Sequence, residues 1–334
     1  MRSLTKRWLT DAQVAALVRA AFGPDVRVAA CRELTGGMFS AAYALELDDG
    51  RETVLKVAPS PDAEVATHEV DMMRGEIEFY QLARAVPGVP VPDLLGYDTS
   101  GTLIDSDYLF LSRLRGTRLD VLRPELSDAE YAELRRELAR IAARLQAVRG
   151  AAFGYLTGAA ASRQPTWARS FLAMMRAIAR DAERHEVRLP VPARRVVEAV
   201  ERHADVLDDV EQPALVHADL WDANVFVRRD EGRPAIEGII DGERAIHGDP
   251  CVELQSWCYL RELDGVADML HAFGEERGVP LVLTDSLRLR HRLYSIYLHM
   301  IIATESVIRG YEESESAALL DRVLAALAAD VGRL

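Results

Sequence analysis

The sequence predicts an α+β fold of two lobes, with a small antiparallel sheet and a helix in the first and mainly helices in the larger second. Three observations predict it. Alternating apolar runs at 26–34, 41–47 and 52–57 are joined by Thr35-Gly36-Gly37 and Asp48-Asp49-Gly50, which are hairpin signals. From residue 126 onward the apolar spacing is mostly that of amphipathic helices. At 334 residues the chain exceeds one typical domain. The expected division is an N-terminal lobe at 1–111, a hinge at 112–116 and a C-terminal lobe at 117–334.

The elements follow in order. Thr10 or Asp11 caps a first helix with Val14, Leu17, Val18 and Ala21 on one face, and Gly23-Pro24 ends it. Three strands come next, over the runs already named. A helix is expected over 67–85, its apolar side marked by Met72, Met73, Ile77, Tyr80 and Leu82. Residues 86–92 are proline-rich and extended, 94–97 and 108–114 read as strands, and Arg115-Gly116 turns the chain. Ser127 and Glu130 form a capping box for a helix reaching about residue 148. Residues 153–156 read as a loop. Helices are expected over 167–186, 194–207, 252–263, 265–277, 287–308 and 315–334.

Composition narrows the class. Hydrophobic residues make up 49% and mean hydropathy is −0.04, which fits a soluble protein with a sizeable core. A net charge of −13 argues against nucleic acid or an anionic membrane as partner, and it is compatible with a cationic small molecule. The scattered Cys31, Cys251 and Cys258 read as reduced thiols. No apolar leader or membrane-length run is present, so a cytoplasmic monomer or homodimer is expected.

Residues 213–254 carry the chemistry. Apolar strands lead into His217-Ala218-Asp219, leave after Asn224, and end again at Asp241, so a short hairpin is expected to gather Asp219, Asn224 and Asp241 at strand ends. The spacing H-x-D-x-x-x-x-N matches a kinase catalytic loop. One carboxylate would accept the proton of an attacking hydroxyl, while an amide and a second carboxylate would hold magnesium against nucleotide phosphates. Asn224 is the chain's only asparagine, and Lys56 is one of two lysines with Lys6. A lysine on a strand facing a helix needs an anionic partner. Glu76 is the expected one, with Glu69 and Glu78 as alternatives. Backbone groups of Ser112 and Leu114 are the expected contacts to a nucleotide base, and those of Gly36 and Gly37 to phosphate.

Taken together, L-V-H-A-D-L-W-D-A-N-V, I-I-D-G-E-R-A-I-H-G-D-P, L-T-G-G-M-F-S and F-G-Y-L resemble the aminoglycoside phosphotransferase family, relatives of the protein kinases, over nearly the full chain. The resemblance implies a bilobal protein-kinase-like fold and ATP- or GTP-dependent transfer to a small-molecule hydroxyl. Asp219 would be the catalytic base, Asn224 and Asp241 the Mg2+ ligands and Lys56 the phosphate-binding lysine. His217 and Asp249 would brace the loop. An antibiotic, an aminoglycoside first, is the expected acceptor, with an acidic pocket of Asp222, Glu262, Asp264 and Glu305. The alternatives are a kinase of a sugar, amino alcohol or homoserine, and a silent nucleotide-binding module. A metal-dependent hydrolase leaves Lys56 and Glu76 unexplained. The chain departs from the family pattern at Ala218, at Gly242-Glu243, at Glu253 and in the Gly-Gly-Met-Phe-Ser loop.

Overall fold

In the computed structural model, residues 5–35, 37, 39–156, 162–230, 232–261, 263–310 and 317–334 are described. Helix α1 (Asp11–Phe22) opens on a capping box between Thr10 and Gln13 and ends at Gly23, φ 113°. Strands β1 (Val28–Leu34), β2 (Ala41–Leu47) and β3 (Glu52–Val57) form an antiparallel meander. A 3-10 turn at Thr67–Glu69 and a left-handed Asp71 (φ 57°) delay the next helix, so α2 covers Met72–Arg84 rather than all of 67–85. Strands β4 (Leu94–Asp98) and β5 (Tyr108–Ser112) complete a five-stranded sheet ordered β1-β2-β3-β5-β4.

Alternation along β3 explains what this sheet does for the site. Leu55 and Val57 turn to the face where Leu17, Leu45 and Phe110 pack. Lys56 therefore projects from the opposite face, toward α2.

After β6 (Thr117–Arg118), α3 (Leu119–Leu122) and α4 (Asp128–Leu145) comes β7 (Gly154–Tyr155), a short strand where a loop was expected. Gly154 sits at φ 127°, and a Cβ there would lie 2.5 Å from the Ser162 carbonyl, so only glycine admits that contact. Helices α5 (Trp167–Arg184) and α6 (Ala193–Glu201) follow, the latter giving way to a 3-10 turn at Ala204–Asp209.

The single hairpin expected at 213–254 is two small sheets. Strand β8 (Ala214–Val216) does not pair with β9 (Val225–Asp230). It pairs with β11 (Ile246–Gly248), which also takes β7. Strand β9 pairs instead with β10 (Arg233–Ile239) and β6. Ala218 at φ 64° turns the chain out of line after β8, which is why the first strand cannot run into the second.

Helix α7 (Leu254–Trp257) is four residues long, where a helix over 252–263 was expected; Leu260 at φ 55° breaks the run. Helices α8 (Ala267–Arg277), α9 (Asp285–Ile308) and α10 (Ala317–Gly332) end the chain. The main core joins α2, α4, α5 and α9 through residues such as Phe79, Leu138, Phe171 and Tyr294. No helix of the described residues is long and apolar enough to cross a membrane.

Candidate active site

Lys56 stands at the junction of the sheet and the catalytic stretch. Its Nζ lies 2.6 Å from Glu76 Oε2 on α2, 2.7 Å from Asp241 Oδ1 and 3.6 Å from Glu243 Oε2. Of the three glutamates the sequence offered as partner, Glu76 is the one in contact. Glu69 instead meets Arg309 and caps the Ala66 N–H, and Glu78 is directed elsewhere. Tyr80 links two of the acids: its hydroxyl donates to Glu76 Oε1 and accepts the Asp241 N–H, both at 3.1 Å.

Three carboxylates thus surround one ammonium, and the balance shows in their protonation. Burial opposes the charge on Lys56, but Asp241, Glu76 and Glu243 outweigh it and raise its pKa well above the ordinary value. Burial likewise opposes the Asp241 carboxylate, yet Lys56 prevails and holds it below the usual range. Glu243 is pushed well up, by burial first and by Asp241 next, and Glu76 is raised by burial despite Lys56. The cluster carries more acid than its lysine can offset.

Asp241 is held at φ 68° by a tight turn. The next residue must be glycine, since a Cβ on Gly242 would lie 2.0 Å from the Phe79 ring.

Asp219 sits across from this cluster, on the loop after β8. Asn224 Nδ2 donates to the Asp219 carbonyl at 2.9 Å and to its Oδ2 at 3.2 Å, which fixes the amide. Burial raises the Asp219 pKa to about 7; Arg244 opposes the rise and Asp241 adds to it. His217 Nδ1 accepts the Asp219 N–H at 3.3 Å, so the ring proton lies on Nε2 and is donated to the Ile240 carbonyl at 3.0 Å. Burial depresses the His217 pKa to about 4, so the ring is a neutral brace.

Beneath the loop, Glu253 accepts the N–H groups of His217, Ala218 and Leu220 at 3.0, 3.3 and 3.3 Å. Its burial raises its own pKa to about 7, with the three N–H groups opposing. Asp249 caps the 3-10 turn that follows by accepting the Cys251 N–H at 2.9 Å, and it also receives Arg290 and Tyr294.

Other expected residues fall differently. The Ser112 N–H donates to the Asp93 carbonyl and its hydroxyl accepts the Asp93 N–H, both at 2.8 Å, so of the backbone groups expected to meet a base this N–H is already engaged. Leu114 lies over Gly238. Gly37 is exposed, and Gly36 lies outside the described residues.

Of the four acids expected to form a pocket, Asp222 and Glu305 line one cavity beside Asp219, but both are already paired. Asp222 accepts Tyr131 Oη at 2.6 Å and Arg135 Nη1 at 2.8 Å. Glu305 is buried and takes both oxygens to Arg244, at 2.7 and 2.8 Å, with His68 at 2.8 Å and Arg309 at 3.2 Å. Asp264 faces Arg288 on the surface, away from Asp219, and Glu262 lies outside the described residues. The charge of these acids is legible in the sequence, whereas the arginines that pair Asp222 and Glu305, Arg135 and Arg244, come from distant segments.

Tyr80, Glu243 and Arg244 were missed as site residues. The D-x-E spacing after Ile240 was a usable signal for Glu243. Arg244 had none, being one of many arginines.

A model of the phosphotransferase enzyme family (APH) matches residues 30–294. The chain belongs to this family. Membership in APH makes it a phosphotransferase of the small-molecule class. Solved structures share the kinase-like fold. A candidate fructosamine-3-kinase from Thermobifida fusca YX-ER1 superposes with a TM-score of 0.65 at 23% identity, over 96% of this chain and 100% of that one. The macrolide 2'-phosphotransferase MphH from Brachybacterium faecium gives 0.55 at 23%, over 93% and 97%. The ADP-bound aminoglycoside phosphotransferase APH(2'')-Ib gives 0.57 at 17%, over 96% and 97%. Among curated proteins there is no match.

Proposed function

We propose that this APH-family chain transfers the γ-phosphoryl group of ATP or GTP to a hydroxyl of a small organic molecule, with antibiotics as the first class to test. The observation that carries the reading is the Lys56 ammonium held between Glu76, twenty residues away, and Asp241, 185 residues away. In the proposed division, residues 1–111 form the nucleotide lobe, 112–116 the hinge and 117–334 the lobe that holds the acceptor.

Lys56, oriented by Glu76, binds nucleotide phosphate oxygens. The excess acid around it and the hard oxygens of Asp241 and Asn224 fit Mg2+, which these two residues would hold. Magnesium there supplies neutralisation of phosphate charge. Asp219 takes the acceptor's proton as the hydroxyl oxygen bonds to the γ-phosphorus. The bond from that phosphorus to the bridging oxygen breaks, and the nucleoside diphosphate leaves. A carboxylate with pKa near 7 is poised for this step. Neutral His217 and Glu253 keep the loop in shape without exchanging protons with substrate.

The test is magnesium-dependent ADP and GDP release against a panel of hydroxylated antibiotics and metabolites, with Asp219→Asn alongside. Acceptor-stimulated release that the variant loses supports the reading. Release that survives Asp219→Asn undiminished removes Asp219 as the base, and failure to bind either nucleotide sinks the reading altogether.

A further inference from the structure

Next to Asp219 opens a cavity of about 450 Å³, within the range of sites for drug-sized ligands. Its wall takes residues from α3 and α4, the loop after β8, the turn at Arg244, α7 and the segment after it, and α9 and α10. Among its side chains Trp221, Trp257, Tyr259, Leu298, Ile302 and Leu319 are apolar or aromatic, and the rest are mostly charged. Two of them, Trp221 at 46% exposure and Leu319 at 41%, remain open to solvent although they are large and apolar. Trp221 lies two residues beyond Asp219, so whatever brings a hydroxyl to that carboxylate passes beside the indole.

The charges in the wall decide what else enters. Besides Asp219 it holds three acids, and all are engaged. Asp120 pairs with Arg118 at 2.7 and 3.0 Å, Asp222 with Arg135 and Tyr131, and Glu305 with Arg244, Arg309 and His68. Of the arginines in the wall, Arg135, Arg244 and Arg309 are spent on those acids. Arg261 has no carboxylate partner among the described residues. A ligand with several ammonium groups would find, among the described residues of the wall, no carboxylate free of a cationic partner besides Asp219, and each ammonium left unmatched on burial is costly. An apolar face meets no such penalty and covers Trp221 and Leu319.

We infer that the acceptor is a hydroxylated molecule with a large apolar face, stacked on Trp221, carrying at most a single positive charge. The inference rests on the phosphotransferase reading for where the hydroxyl must lie, and it narrows the acceptor class.

Binding separates this inference from the chemistry. Wild-type protein without nucleotide, and so without a phosphoryl donor, is titrated with erythromycin and estradiol and, separately, with kanamycin and gentamicin, following indole fluorescence and melting temperature. The expected result is saturable binding of at least one of the first pair and at least tenfold weaker binding of the second. In wild-type protein, Trp221→Ala is expected to raise KM for the bound alcohol at least tenfold while leaving nucleotide Kd within twofold. Arg261→Glu, which adds an unpaired acid to the wall, is expected to strengthen kanamycin binding at least fivefold. Tighter binding of kanamycin or gentamicin than of either apolar alcohol overturns the inference, as does no binding of the apolar pair. Neither of those results touches the phosphotransferase reading, which stands or falls on nucleotide turnover.

Discussion

Two charge clusters flank the four-residue turn from Asp241 to Arg244, and they are built on opposite principles. On one side, Lys56 faces Glu76, Asp241 and Glu243, so acids outnumber the base three to one. On the other, Arg244 and Arg309 face Glu305 and Glu69, two against two, with His68 completing the set. The first is left unbalanced, and burial, with Asp241 next, pushes the Glu243 pKa well up. The second is closed: burial opposes charge on Glu305, but the two arginines hold its pKa far below the usual carboxylate range. A buried cluster that balances itself has no demand on a ligand, whereas one that does not is suited to binding a cation. The same short turn supplies both, Asp241 and Glu243 to the open cluster and Arg244 to the closed one.

The sharpest way to break this contrast is Glu305→Gln. It leaves Arg244 and Arg309 buried without their shared carboxylate, and removing one partner of such a set costs on the order of 3–5 kcal/mol. Denaturant unfolding should show that loss, and a midpoint within error of wild type would mean the closed cluster is not structural. Asp241→Asn is the counterpart in the open cluster. It should lower kcat/KM by about 10²–10³-fold, the scale of losing one stabiliser of transition-state charge. The melting temperature should fall only modestly, because Lys56 keeps Glu76 and Glu243 as partners; a loss as large as that of Glu305→Gln would contradict the distinction.

A third prediction concerns the loop that carries Asp219. The pKa of Glu253 is about 7 in the folded protein against an ordinary 4.5, so the folded state keeps a proton that the unfolded chain releases. Its contribution to stability is therefore full below about pH 4.5 and is lost as pH rises through 7. The swing is on the order of 3 kcal/mol. Melts of wild type and Glu253→Gln between pH 5 and 8 should diverge accordingly, with the flatter profile in the variant. Equal slopes would show that Glu253 titrates normally. The smallest effect expected is from Ala218→Gly. A left-handed alanine is strained by roughly 1–2 kcal/mol, part of which glycine returns as chain entropy. A net gain of about 0.5 kcal/mol by denaturant unfolding is anticipated, and a loss would mean that the alanine methyl packs better than its φ of 64° suggests.

The open cluster was largely legible in the sequence and the closed one was not. A chain with two lysines and one asparagine advertises Lys56 and Asn224, and the acids that follow strands 215–216 and 236–240 draw notice by position. Glu76 was singled out because the strand lysine needs an anion and a helix follows it. Glu305 was misread as a free pocket acid because nothing in its local sequence announces Arg244, 61 residues earlier, or His68, 237 residues earlier. The same limit applies to strand pairing. The apolar character of 214–216 marks a strand, but its partner at 246–248 was decided by the turn at Ala218 and by how Trp167 packs beside Gly248. At 242 the sequence shows only a departure from the family pattern, because the Phe79 ring that leaves no room for a side chain there comes from α2.

Arg309 closes its ion pair with a glutamate 240 residues earlier. During synthesis, then, His68 and Glu69 emerge from the ribosome long before α9, which carries Glu305, and the Arg309 that caps it. At roughly 5–20 residues per second the wait is on the order of tens of seconds. Throughout that interval the nascent sheet and α2 are exposed without their final lid. For this chain α9 with Arg309 is a clasp, and the vulnerable stage of its life is the one before the clasp arrives.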